Sequence, residues 1–334
     1  MRHILPPALK AGETIAFYSP SSPATSFAPN RTQRAVNFLE AKGFNVVAGN
    51  LSYKNDFYRS GTITQRANEL NELIRNPNVR CIMSTIGGAN SSSLLPYLDY
   101  DAIRQDPKIF VGYSDVTAIL LGIYAQTGLV TFYGPALTAS LGELPPLLDE
   151  TFDSFQNITQ TLSLPYSYST PNYWTEEFVD WEQQNSGKTL SANNVQWLGK
   201  GVVSGRLIGG NLNTISAIWG SPYMPPIKKG DILLIEDSLK DIATVERLFS
   251  LLKINGVFDK VRAVLLGKHE LFKDGGTNRQ PIDVLQEVLN GQQLPIVNNV
   301  DCAHTHPMIT MPIGCHFNVD FDRKELSLLE QAVC

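Results

Sequence analysis

Ile109-Phe-Val-Gly-Tyr-Ser-Asp-Val-Thr-Ala-Ile-Leu-Leu121 decides the architecture. An apolar strand, Ile109 to Val111, runs through Gly112 into Tyr113-Ser114-Asp115, and a helix opens at once. A serine on such a strand-to-helix turn projects its hydroxyl away from the backbone, beside free helix N–H groups that favour negative charge. Those are the needs of a nucleophilic serine, whose tetrahedral intermediate carries an oxyanion. A Ser or Asp serving only as a helix N-cap is the plainer alternative. Working outward, strands and helices alternate on the N-terminal side. Thr14 to Tyr18 reads as a strand closed by Ser19-Pro-Ser-Ser-Pro23, and Arg31 to Lys42 as a helix with Asn30 as N-cap and Gly43 just past its end. Phe44 to Val47 is a second strand. Ile63, Ala67, Leu70 and Ile74 then line one helix face, and Val79 to Met83 is a strand ending in Gly87-Gly88. Strands separated by helical stretches of this length predict a parallel sheet flanked by helices.

With 334 residues, one large domain or two ordinary ones are expected, with a sizeable core. Residues are 43% hydrophobic and 18% charged, the net charge is −5 and the pI is near 5.6. No Lys/Arg run is present, which argues against nucleic acid as a partner. The N-terminal residues carry no signal-like apolar core and no long apolar span follows, so no membrane partner and a cytoplasmic location are expected. Cys81, Cys302, Cys315 and Cys334 are scattered without a C-x-x-C, as expected of reduced thiols.

Between about 138 and 200 the alternation gives way to proline pairs and to Asn172-Tyr-Trp174-Thr-Glu-Glu-Phe-Val-Asp-Trp181-Glu182, read as a connection with a long decorated loop. Order then resumes. Gly205 to Asn211 leads into a helix, Asp231 to Glu236 is a buried strand, Ile242 to Ile254 is helical, and Val261–Leu266 and Leu294–Val297 are strands. The expected division is 1–165, 166–200 and 201–334.

Glu236 ends a strand of four apolar residues, and ligands gather at the carboxyl ends of strands in open α/β sheets. Asp237 beside it reads more plainly as a helix cap. Of five histidines, His304 and His306 share a breaker-rich loop, Asp301 to Gly314, and either could be the base a serine nucleophile needs; spacing alone does not choose. A zinc site built from His304, His306, Asp301 and Cys302 lacks a second cluster, so no metal is expected. Gly87-Gly88 and Gly209-Gly210-Asn211 are either tight turns or close backbone approaches to a ligand. G-x-G-x-x-G and the Walker A sequence are both absent.

In this order and spacing, the motifs resemble the LD-carboxypeptidase family of serine peptidases, which includes the microcin C self-immunity peptidases. The motifs are Ser19-Pro-Ser-Ser-Pro23, Gly87-Gly88, Gly112-Tyr-Ser-Asp115, Ile235-Glu-Asp237 and His304-Thr-His-Pro…Thr310-Met-Pro-Ile-Gly314. The resemblance implies a flavodoxin-like N-terminal domain carrying the nucleophile and a smaller swivelling β/α C-terminal domain carrying the acid and base, usually in a homodimer. It implies a triad of Ser114, Glu236 and His304, with His304 chosen over His306 by its distance from Thr310 and Gly314. Backbone amides of Gly88 and Asp115 would form the oxyanion hole. Gly87, Trp174, Trp181, Asn211 and Glu270 would bind substrate, and no cofactor would be needed.

Two substrates compete under this resemblance. One is the amide-type bond joining an acidic aminoacyl group to a modified nucleotide. The other is the terminal D-alanine of a murein tetrapeptide. The Trp174–Trp181 segment and Gly267-Lys-His-Glu270 are similar to the microcin-immunity branch, and aromatic faces stack on bases. The nucleotide substrate is therefore preferred. A catalytically silent binding protein of the same fold is disfavoured by the presence of all three triad residues.

Overall fold

The computed structural model describes residues 3–302 and 304–334. The first sheet is built on β1 (Thr14–Tyr18), β2 (Asn45–Ala48), β3 (Val79–Ser84), β4 (Ile109–Gly112) and β5 (Thr131–Tyr133). These pair in parallel in the order 2-1-3-4-5, the flavodoxin-like order. Beyond β5 the sheet gains an antiparallel strand, Met311–Ile313, from near the end of the chain. β1, β3 and β4 are buried along nearly their whole length, as strands covered on both faces must be. The helix Thr117–Thr127 behind the serine turn is apolar all round and buried accordingly, and it stops at Gly128 in the left-handed conformation.

The second sheet has eight strands. At its centre Val202–Asn211, Ile232–Glu236, Ala263–Gly267 and Ile296–Val300 run parallel, and antiparallel strands flank them. Gly209 and Gly210 lie inside the first of these strands and make no turn. Helices Ile242–Ile254 and Pro281–Leu289 cover one face. One hydrophobic core spans both sheets, from Leu9 and Ile15 to Phe317 and Val333.

The stretch 138–200 holds more regular structure than a connection and loop. Leu147–Ile158 is a helix and not loop: it buries Leu147, Leu148, Thr151, Phe152, Phe155 and Ile158, a three- and four-residue spacing that follows directly on the proline pair. The helix expected from Arg31 spans Pro29–Ala41, with Pro29 at its first position and Asn30 inside it, not capping it. No helix among the described residues is long and apolar enough to cross a membrane. The four cysteines form no disulfide.

Candidate active site

The carboxyl ends of both parallel sheets converge on one cavity of about 350 Å³. Ser114 reaches it from the end of β4. Its φ is +61°, a left-handed conformation costly for a side chain with a Cβ and typical of functional turns. The turn is tight because Gly87 faces it: a Cβ there would lie 2.7 Å from Ser114 Oγ and 3.0 Å from the Asp115 amide nitrogen. Gly88 follows at φ +145°, where a Cβ would strike Ser21 Oγ at 2.2 Å. Glycine is thus required at both positions by close approach.

The amides of Gly88 and Asp115 donate to no described residue, and their surroundings are fixed by other bonds. Asp115 Oδ2 accepts the N–H groups of Asn90 (3.0 Å) and Ser91 (2.8 Å). Ser21 Oγ accepts those of Ala89 (3.0 Å) and Asn90 (3.1 Å). The Asp115 side chain therefore ties the glycine loop to the serine turn and does not cap the helix of its own turn. Ser21 was passed over within Ser19-Pro-Ser-Ser-Pro23 because a serine between prolines reads as turn chemistry.

Glu236 is fully buried at the end of its strand, in register with Asn211 on the neighbouring one. Its Oε2 accepts from His304 Nδ1 at 2.7 Å, and its Oε1 from the Tyr133 hydroxyl at 2.5 Å and Asn211 Nδ2 at 3.0 Å. Burial alone would push this carboxyl up. The facing His304 and the three hydrogen bonds hold it below the ordinary carboxylate value. Burial likewise disfavours the His304 cation, but the Glu236 carboxylate overrides it and raises the imidazole above its ordinary value. With Nδ1 committed to Glu236, Nε2 is the nitrogen left for the cavity. Tyr113 packs edge-on against the His304 ring at 4.9 Å between centroids. Ser114 Oγ makes no hydrogen bond to any described residue.

His306 is two residues away and does different work. Its backbone exchanges both hydrogen bonds with Thr175, at 2.9 and 3.0 Å, which anchors the tryptophan-bearing segment to the histidine loop. Its ring is buried beside Lys188, and burial with that charge lowers it to about 3. Asp301, the carboxylate weighed as a zinc ligand, is paired with Lys268 and Asn193.

Of the expected substrate-binding residues, Gly87, Trp181, Asn211 and Glu270 line this cavity. Trp174 does not. It borders a separate cavity with Lys268 lying 5.3 Å from its ring centroid. Trp181 is held by Arg31, whose guanidinium carbon sits 4.7 Å from the ring centroid. Arg31 is fully buried and paired at 3.0 Å with Glu143. Glu270 borders the cavity and is raised by burial. Lys188, 3.2 Å from Glu143, and Lys240, 3.5 Å from Asp237, bring two cations to the same walls. Sequence reasoning missed both. Lys240 follows a strand end by four residues, which is the signal that could have found it.

Residues 15–134 match the LD-carboxypeptidase N-terminal domain and residues 204–319 the LD-carboxypeptidase C-terminal domain. The microcin C7 self-immunity protein MccF of Escherichia coli is 57% identical over 326 residues, covering 97% of this chain and 95% of that protein. A Vibrio cholerae protein described as a carboxypeptidase is 60% identical over 326 residues, with 98% of each covered. The structure of MccF in complex with aspartyl sulfamoyl adenosine matches with a TM-score of 0.97 at 56% identity, over 99% of this chain and 100% of that one.

Proposed function

Since the chain belongs to the LD-carboxypeptidase family of serine peptidases, we propose that it hydrolyses the amide-type bond between an acidic aminoacyl group and a modified nucleotide. The observation that carries this reading is the composition of the serine cavity. Trp181 offers a face for a base, Lys188 and Lys240 offer positive charge for an acidic acyl group, and Ser114 lines the same cavity. The 57% identity to a microcin C7 self-immunity protein supports the same substrate class.

Ser114 Oγ attacks the acyl carbon as His304 Nε2 takes its proton, and Glu236 orients the imidazole and stabilises its charged form. The amides of Gly88 and Asp115 receive the oxyanion. The intermediate collapses with cleavage of the carbon–nitrogen bond, and His304 returns the proton to the departing nitrogen. Water, deprotonated by His304, then releases the acyl group from Ser114. Burial of Glu236 under three hydrogen bonds keeps its charge directed at His304 and away from solvent. The family resemblance further implies a homodimer acting in the cytoplasm.

The test is a mass-spectrometric digest of aspartyl-sulfamoyl-adenosine and of an L,D-linked murein tetrapeptide in parallel. Wild type is expected to release aspartate and sulfamoyl-adenosine, and Ser114→Ala to lose at least about three orders of magnitude in rate. Release of D-alanine alone would assign the protein to murein recycling. Near-normal turnover by Ser114→Ala would remove the serine from the mechanism.

A further inference from the structure

One buried hydroxyl touches both halves of the site. Tyr133, at the end of β5, pairs in register with Gly112, the residue just before the serine turn. Its hydroxyl accepts the Ser114 backbone N–H at 3.3 Å and donates to Glu236 Oε1 at 2.5 Å. The side chain is fully buried, and burial beside Glu236 holds the phenol well above its ordinary pKa, so it stays protonated and donating. The strand carrying Asn211 is cut away to let the ring through. A Cβ on Gly210 would lie 3.0 Å from Tyr133 Cε2 and 2.8 Å from Thr117 Cγ2. Gly210, open in sequence to reading as part of an anion site, is the notch through which this tyrosine meets the acid.

We propose that Tyr133 is a positioning residue, whose hydroxyl sets the nucleophile turn of the first sheet against the carboxylate of the second. The assignment rests on the Ser114–Glu236–His304 reading and extends it. The hydroxyl's acceptor side holds the strained Ser114 backbone. Its donor side fixes Oε1 of Glu236, so that Oε2 points at His304 Nδ1. Because the Ser114 amide is already taken, the oxyanion falls to the amides of Gly88 and Asp115. Without the hydroxyl, Glu236 loses one of its three donors, its negative charge acts more strongly on His304, and the imidazole becomes harder to deprotonate.

Tyr133→Phe removes one oxygen and keeps the ring. On aspartyl-sulfamoyl-adenosine, kcat is expected to fall about 10- to 100-fold with KM within about twofold. The ascending limb of the pH–rate profile should move to higher pH. A folded Tyr133→Phe with unchanged kcat and an unmoved limb overturns the proposal. So does a lower melting temperature with no change in the limb, since that is all a packing role would give. The double variant Tyr133→Phe/Glu236→Gln, which leaves no under-bonded carboxylate, keeps the question open to test if the single variant fails to fold. Its activity should lie within about threefold of Glu236→Gln alone, the remainder belonging to the Ser114 contact, and a further loss of about 10-fold or more would contradict a role acting through Glu236. Ser114→Ala separates the two failures. If it is inactive while Tyr133→Phe is normal, only the tyrosine assignment falls, whereas an active Ser114→Ala removes the triad beneath it.

Discussion

His304 and His306 are two residues apart and end in opposite electrostatic states. His304 faces a buried carboxylate and is raised; His306 faces Lys188 and is lowered to about 3. In the proposed mechanism His304 must be neutral to take the serine proton, so raising it moves the onset of activity to higher pH. The ascending limb of kcat/KM is therefore expected above the ordinary histidine value of about 6.5, and a limb at or below it would contradict the Glu236–His304 pairing. The same pairing bears on stability. A folded-state value above the unfolded one gives stabilisation that is full below about pH 6.5 and is lost as pH rises through the raised value. Ser114 and Glu236 were legible in the sequence, because a strand-to-helix turn and a strand end each mark where a side chain can meet a ligand. Spacing did not separate the two histidines, since the separation depends on a carboxylate 68 residues from His304. Tyr133 was illegible for the same reason. It sits in the apolar run Leu129-Val-Thr-Phe-Tyr133, which carries no local motif, and its partner lies 103 residues on.

At the scale of elements, the segment 173–192 shows how a chain without regular structure is held in place. It pairs with itself through Tyr173–Trp174 and Ser191–Ala192, and with His306 through Thr175. Glu182 then closes on the helix Pro29–Ala41, accepting from the Asn30 and Arg31 amides at 3.1 to 3.2 Å, where a carboxylate complements the helix dipole. Gln184 bridges Arg31 and Glu143. Trp181 and Lys188 are thus presented to the cavity by contacts with the first sheet's helices. Glu182→Ala is expected to raise KM about 3- to 10-fold with kcat within about twofold, because it loosens substrate contacts and leaves the reacting groups alone. Steady-state kinetics would show it, and an equal fall in kcat with unchanged KM would contradict it. The two tryptophans made this segment visible in sequence as a candidate substrate-binding loop. Its anchors were not visible, because a carboxylate capping a helix about 150 residues away leaves no local pattern.

For the molecule as a whole, the alternation of β1 to β4 was enough to foresee a parallel sheet, since each crossover is local, while β5, only three residues long, was not foreseen. The sixth strand was not foreseen, because Met311–Ile313 comes from the far end of the chain and runs the other way. After it Gly314 turns at φ +98°, and His316–Asp320 joins the second sheet directly. With that stitch and a core shared by both sheets, heating is expected to give a single calorimetric transition, and two resolved transitions would contradict it. The stitch also has a consequence for synthesis. The five parallel strands are complete once Tyr133 has left the ribosome, yet the outer side of β5 has no partner until residue 313 follows, roughly 180 residues later. At about 5–20 residues per second that is on the order of ten to forty seconds. Throughout it, the strand bearing Tyr133 stands open to any extended chain nearby, and the same delay keeps the nascent serine turn from meeting His304 until the loop from Asp301 to Gly314 has been made.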